Sequence, residues 1–165
     1  MDKRTLIDIL KNEGINDNNI YINKINSSKE FTTVSYRSMY RKNIKNNYNC
    51  MSSAKDKLGV YFFHKWNIEK NKFEFIYVGE CHTTNDERDL KIRISQHLTA
   101  YNTGGFPYKL DGKNGLKAEN IIKMFYNDDV KITYITLENV SSRDIIFLES
   151  FLISILRPKY NFYLK

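Results

Sequence analysis

Proline is nearly absent from this 165-residue chain (2), glycine is scarce (7), and there are only 2 cysteines, 3 histidines and 1 tryptophan. With so few chain breakers and 41% hydrophobic residues, a collagen-like, linker-rich or disordered polypeptide is excluded. Cys50 and Cys81 with His64, His82 and His97 cannot fill a four-ligand zinc array at recognisable spacing. The adjacent Cys81-His82 pair is a weak metal signal, so both thiols are read as reduced bystanders. No apolar run approaches the ~18 residues of a membrane span, and MDKRTLIDIL lacks a signal-peptide core. A cytoplasmic protein is the expectation.

What the chain has in abundance is aromatic surface and positive charge: 12 Tyr, 10 Phe and a formal charge of +7. The charge is uneven. Arg37, Arg41, Lys42, Lys45, Lys55 and Lys57 face only Asp56 in one stretch, and Lys91, Arg93, Lys109, Lys113 and Lys117 face only Asp111 in another. Basic stretches with Tyr36, Tyr40 and Tyr48 interleaved suit a polyanion such as nucleic acid, with Arg37, Arg41, Lys42, Lys109 and Lys113 as candidate contacts. A lysine-rich solvated surface explains the same composition, and charge alone does not separate the two.

Periodicity divides the chain near residue 57. Leu6, Ile9 and Leu10 have helical spacing, whereas residues 16–50 show no clean period apart from a strand-like EFTTVSY, which reads as an N-terminal accessory region over 1–57. From Leu58 the pattern sharpens: LGVYFFHKW and KFEFIYVGE around a polar turn predict a β-hairpin. A helix is predicted from Asp89 to Thr103, with Leu90, Ile94, Leu98 and Tyr101 on one stripe, followed by a loop FPYKLDGKNG. A second helix over Leu116 to Tyr126, a strand in VKITYITLE and a last helix closed before Pro158 complete a β-β-α-α-β-α order. Ser141 with Asp144 three residues on is a capping-box start for that last helix.

One residue breaks the last helix's pattern. At ~100° per residue, Glu149 falls inside the apolar stripe of Ile145, Leu152, Ile153 and Leu156. A carboxylate there is costly to desolvate unless a cation compensates it, so Glu149 is either a functional acid at a cleft or one arm of a core ion pair. In the first helix of the core, Arg93 and His97 are four residues apart and project from one face. One is always cationic; the other can hold or relay a proton.

These residues, in this order, resemble the GIY-YIG nuclease superfamily. The two namesake motifs stand as Gly59-Val60-Tyr61 and Tyr77-Val78-Gly79 on the hairpin, followed by Arg93 and His97, then Glu149, then Pro158-Lys159-Tyr160-Asn161. The spacing of Arg93 to His97 and of Glu149 to Asn161 is similar to the restriction-enzyme branch. The resemblance covers about residues 58 to 161. It implies an α/β (α+β) fold whose core, over 58–165, is a three-stranded antiparallel sheet flanked by helices, and it implies phosphodiester hydrolysis in DNA. Val replaces Ile in both motifs, which keeps strand propensity, and His97 stands where many members carry Tyr. Some relatives use a basic residue between the motifs; Lys65, Lys70 and Lys72 compete for that place, and Lys72 is the candidate carried forward.

The expected chemistry follows residue by residue. Glu149 is a hard oxygen ligand suited to Mg²⁺, for which Mn²⁺ can substitute, and Arg93 offers a planar fork to the scissile phosphate. Tyr61 is the candidate general base; Tyr77 and His97 orient water, phosphate or Tyr61, and Asn161 braces the metal side. Strand tyrosines ordinarily just pack, but Gly59 and Gly79 beside these two mark close backbone approach. The expected protein is a type II restriction endonuclease cutting double-stranded DNA as a homodimer, with a DNA methyltransferase as its genetic partner. The alternatives are a homing or repair endonuclease of the same superfamily, or a non-catalytic nucleic-acid-binding module.

Overall fold

A computed structural model describes residues 1–39, 48–84 and 88–164. Among these residues the chain forms seven α-helices and one four-stranded antiparallel sheet. The strands are β1 (Glu30–Ser35), β2 (Leu58–Asn67), β3 (Lys72–Cys81) and β4 (Lys131–Leu137), in the order β1-β4-β2-β3. Three of them are those read from the sequence. The fourth, β1, corrects the expected three-stranded sheet: EFTTVS pairs with β4 from Glu30↔Thr136 to Ser35↔Lys131. All six of its residues are half-buried, so it lacks the alternation that marks a strand with one wet face, and only the pairing reveals its role.

Helices cover both faces of the sheet. On one side, α1 (Lys3–Asn12) and α2 (Ile20–Asn26) bury Leu6, Leu10, Ile22 and Ile25 with Val60, Phe62 and Val78 of the sheet and Ile145, Leu148 and Leu152 of α7 (Ser142–Leu156). Residues before 58 thus contribute to the same core as the hairpin. Asp2 caps α1 by accepting from Thr5 N at 2.8 Å, and Asn19 caps α2 by accepting from Tyr21 N at 2.9 Å. On the other side, Tyr61, Phe63 and Tyr77 pack with α3 (Tyr36–Met39), α4 (Leu90–Ser95), α5 (Phe106–Leu110) and α6 (Ala118–Asn127).

The two central helices differ from expectation. The helix expected from Asp89 to Thr103 stops at Ser95: His97 and Leu98 donate to Ile94 and Ser95, a tightening turn, and Tyr101 is left 78% exposed. The segment expected to be a loop, FPYKLDGKNG, contains α5, with Pro107 in its first turn where its missing N–H costs nothing. α7 is as read, with its capping box of Ser141 and Asp144 in place. Among the described residues no helix is long and apolar enough to cross a membrane.

A bulge shapes the edge strand. Phe63 pairs with Tyr77 but His64 pairs with Phe75, so Ile76 is an extra residue in β3. The chain after α7 covers this edge: Lys159 N donates to Phe75 O at 3.0 Å and Tyr160 N to Ile76 O at 2.9 Å. Asn161 completes the ladder with its side chain, accepting from Val78 N and donating to Val78 O, both at 2.8 Å.

Candidate active site

β2 and β3 bring Tyr61 opposite Gly79 and Phe63 opposite Tyr77, so both motif tyrosines project from one face of the sheet. Two glycines permit the close approach. A Cβ on Gly79 would lie 2.5 Å from Tyr61 Oη, and one on Gly59 would lie 1.9 Å from Ile135 O of β4.

His97 completes the cluster. Its Nε2 lies 2.6 Å from Tyr61 Oη, and its Nδ1 accepts from the Phe106 main-chain N–H at 2.9 Å. Because Nδ1 is an acceptor, the ring proton of neutral His97 sits on Nε2 and is donated to Tyr61. Burial, then Arg93 and Lys109, hold His97 well below the usual histidine range, so it stays neutral. The early end of α4 now has a physical account: the chain must fold back over His97 for Phe106 to reach it. The Phe106 ring in turn stacks on Tyr77, with centroids 4.3 Å apart and planes at 19°.

Burial pushes the Tyr61 hydroxyl well above the ordinary tyrosine range, aided by Tyr77 and opposed by Arg93. Tyr77 is pushed up to about 12 by burial and by the charge of Glu149, while Arg93 and a hydrogen bond from Tyr61 act the other way. The hydrogen-bond direction therefore runs from Phe106 through His97 to Tyr61, and the Tyr77 ring stands beside them, 6.3 Å from Tyr61 and 5.0 Å from His97 between centroids.

Arg93 and Glu149 act on the same pair of tyrosines from α4 and α7. The Arg93 guanidinium is held by a hydrogen bond from Nη1 to Gln96 Oε1, and its buried Nε has no hydrogen-bond partner among the described residues. Glu149 is half-buried and makes no ion pair among those residues, so the core ion-pair reading of this acid has no partner here. Its carboxyl is pushed up to about 7, first by burial and then by Glu80, with Arg93 opposing.

Glu80 is a residue that the sequence reading passed over. It follows Gly79 on β3 and accepts from, or pairs with, His82 Nδ1 through Oε2 at 2.7 Å. An acid directly after the second motif was the available signal. Glu80 adds to the rise of Glu149, and neither is paired with a lysine or arginine among the described residues, a pairing that suits a hard divalent cation with oxygen preference. No group of three or more His, Cys, Asp and Glu side chains stands close enough to hold a metal among the described residues.

Apart from Lys109, whose charge reaches His97, the remaining candidates do not join this cluster. Asn161 bonds main-chain atoms of Val78, between Tyr77 and Gly79, and so braces the strand. Lys72 lies exposed at the start of β3, five residues before Tyr77. Arg37 is spent on the end of α6, donating to Tyr126 O and Asn127 O at 2.7 and 3.1 Å. Lys109 and Lys113 are exposed on and after α5, and Arg41 and Lys42 lie outside the described residues. Compared with protein-family models, curated proteins and solved structures, the chain finds no match in any of the three.

Proposed function

We propose that the chain is a nuclease that hydrolyses phosphodiester bonds of double-stranded DNA with Mg²⁺, in the manner of a small type II restriction endonuclease acting as a homodimer. The observation that carries this reading is the convergence of Arg93 and Glu149, from two helices, on the hydrogen-bonded Tyr61–His97 pair and the Tyr77 ring beside it. A packing cluster has no need of an acid without an ion-pair partner and a buried guanidinium N–H without an acceptor.

In this reading Arg93 grips the nonbridging oxygens of the scissile phosphate, its fork held by Gln96. His97 stays neutral, fixes the position of Tyr61 and directs the Tyr61 proton outward, so that the Tyr77 hydroxyl meets the phosphate or the attacking water. Tyr61 is too deeply buried to ionise cheaply, which favours an orienting role for it over that of free base. Glu149 and Glu80 would hold the divalent ion, which when bound supplies charge neutralisation and an acidified water. The test is incubation of the purified protein with plasmid DNA and Mg²⁺, followed by sequencing of fragment ends. Discrete ends, absent in EDTA and in Arg93→Ala, support the reading; intact plasmid under all conditions refutes it.

A further inference from the structure

The opposite end of β3 carries a second concave surface. A cavity of about 650 Å³ lies between the first half of β3, the last turn of α1, and the end of α7 with the segment after it. That volume is typical of a small-molecule site. Lys72 is five residues from Tyr77, roughly 16 Å along the strand at ~3.3 Å per residue, so this cavity is separate from the tyrosine cluster.

Its walls hold five cations, Lys65, Lys70, Lys72, Arg157 and Lys159, against Glu13 and Glu74. Glu74 is already engaged, by Lys70 at 3.1 Å and Lys65 at 3.8 Å, and Lys65 is also bound to Asp128 at 2.6 Å. Lys72, Arg157 and Lys159 therefore have no carboxylate partner among the described residues, with only Glu13 nearby to offset them, and the Lys159 ammonium lies 5.1 Å from the centroid of the Tyr160 ring. Each is mounted on a fixed backbone. Lys72 is paired with Asn67 in the sheet, Lys159 is bonded to Phe75 O, and Arg157 occupies a left-handed conformation at φ 48° where glycine is the cheaper residue.

We propose that this cavity is a binding site for phosphate groups, gripped by Lys72, Arg157 and Lys159. The site does not depend on the nuclease reading. Arg157 and Lys159 also stand near the carbonyl end of α7, where cations are favourable in any case. Lys72 has no such explanation, because it is on a strand.

The test compares wild type with Lys72→Gln/Arg157→Gly/Lys159→Gln and with a charge-matched control outside the cavity, Arg4→Gln/Lys123→Gln/Arg143→Gln. Inorganic tripolyphosphate and a short DNA duplex are titrated in EDTA, the duplex at several salt concentrations. Glycine suits the left-handed position of Arg157, so the cavity variant is expected to fold, which a thermal melt checks. The expected result is a fall of about tenfold or more in affinity in the cavity variant and little change in the control. A fall for tripolyphosphate alone identifies a free polyphosphate ligand; a fall for duplex, with the salt slope reduced by roughly 0.9 per lost contact, identifies nucleic-acid backbone. No tripolyphosphate binding together with an unchanged duplex slope, or equal losses in both variants, overturns the proposal.

Discussion

Glu149→Gln removes the charge from a carboxylate that has no ion-pair partner while keeping its shape. The folded protein raises this group from 4.5 to about 7, so Glu149 is neutral in the folded state over a range where the unfolded chain ionises it. Its contribution to stability is complete below about 4.5 and is lost as pH climbs through about 7. The shift corresponds to about 3 kcal/mol as an upper bound, or roughly 6 to 12 °C in Tm for a domain of this size. His64 and His97 titrate in the opposite sense, so the informative quantity is the difference between variant and wild type, in which they cancel. In EDTA, Glu149→Gln should match wild type near pH 4.5 and melt several degrees higher at pH 8. Millimolar Mg²⁺ should shrink that gap by stabilising only the ionised wild type. A gap that does not vary with pH, or a variant that melts lower at pH 8, would refute the reasoning and restore an ion-pair role for Glu149.

Gly79→Ala places a methyl 2.5 Å from Tyr61 Oη and should break the Tyr61–His97 hydrogen bond, abolishing cleavage of plasmid while costing about 1–3 kcal/mol by urea melt. Full activity in that variant would show that the bond is dispensable. Arg93→Ala should reduce single-turnover cleavage by orders of magnitude, and Arg93→Lys should restore little, because the fork that Gln96 holds is lost; equal rates in the three proteins would remove Arg93 from the site. His64, lowered to about 3 mainly by burial, supports the fold fully above about 6.5 and progressively less as pH falls toward 3. His64→Phe should therefore lose less stability than wild type between pH 7 and pH 4 in urea melts, even though it forfeits the 2.9 Å bond to Thr133. Arg157→Gly should raise stability by about 1 kcal/mol by relieving a left-handed residue, and a lower melting temperature would instead show that the Arg157 side chain holds the end of α7.

The amino-acid sequence determined by itself what depends on local pattern. The hairpin of β2 and β3 follows from two aromatic, β-branched runs around a polar turn, and α7 from an apolar stripe opened by Ser141 and Asp144. Glu149 was legible because a helix has a fixed period, against which one acid in an apolar stripe is visible. Tertiary structure alone decided what depends on distant partners. EFTTVSY was legible as strand-like, but its membership of the sheet as β1 was decided by its pairing with β4. α4 ends early because His97 is drawn to Tyr61 and its far nitrogen to Phe106, a pairing across the fold that no spacing along the chain encodes. Asn161 was expected to brace the metal side, yet its side chain bonds both main-chain groups of Val78 on β3. Glu80 acquires significance only when β3 and α7 bring it close enough to Glu149 for its charge to raise the Glu149 carboxyl, an interaction set by distance in space and not by order in the chain.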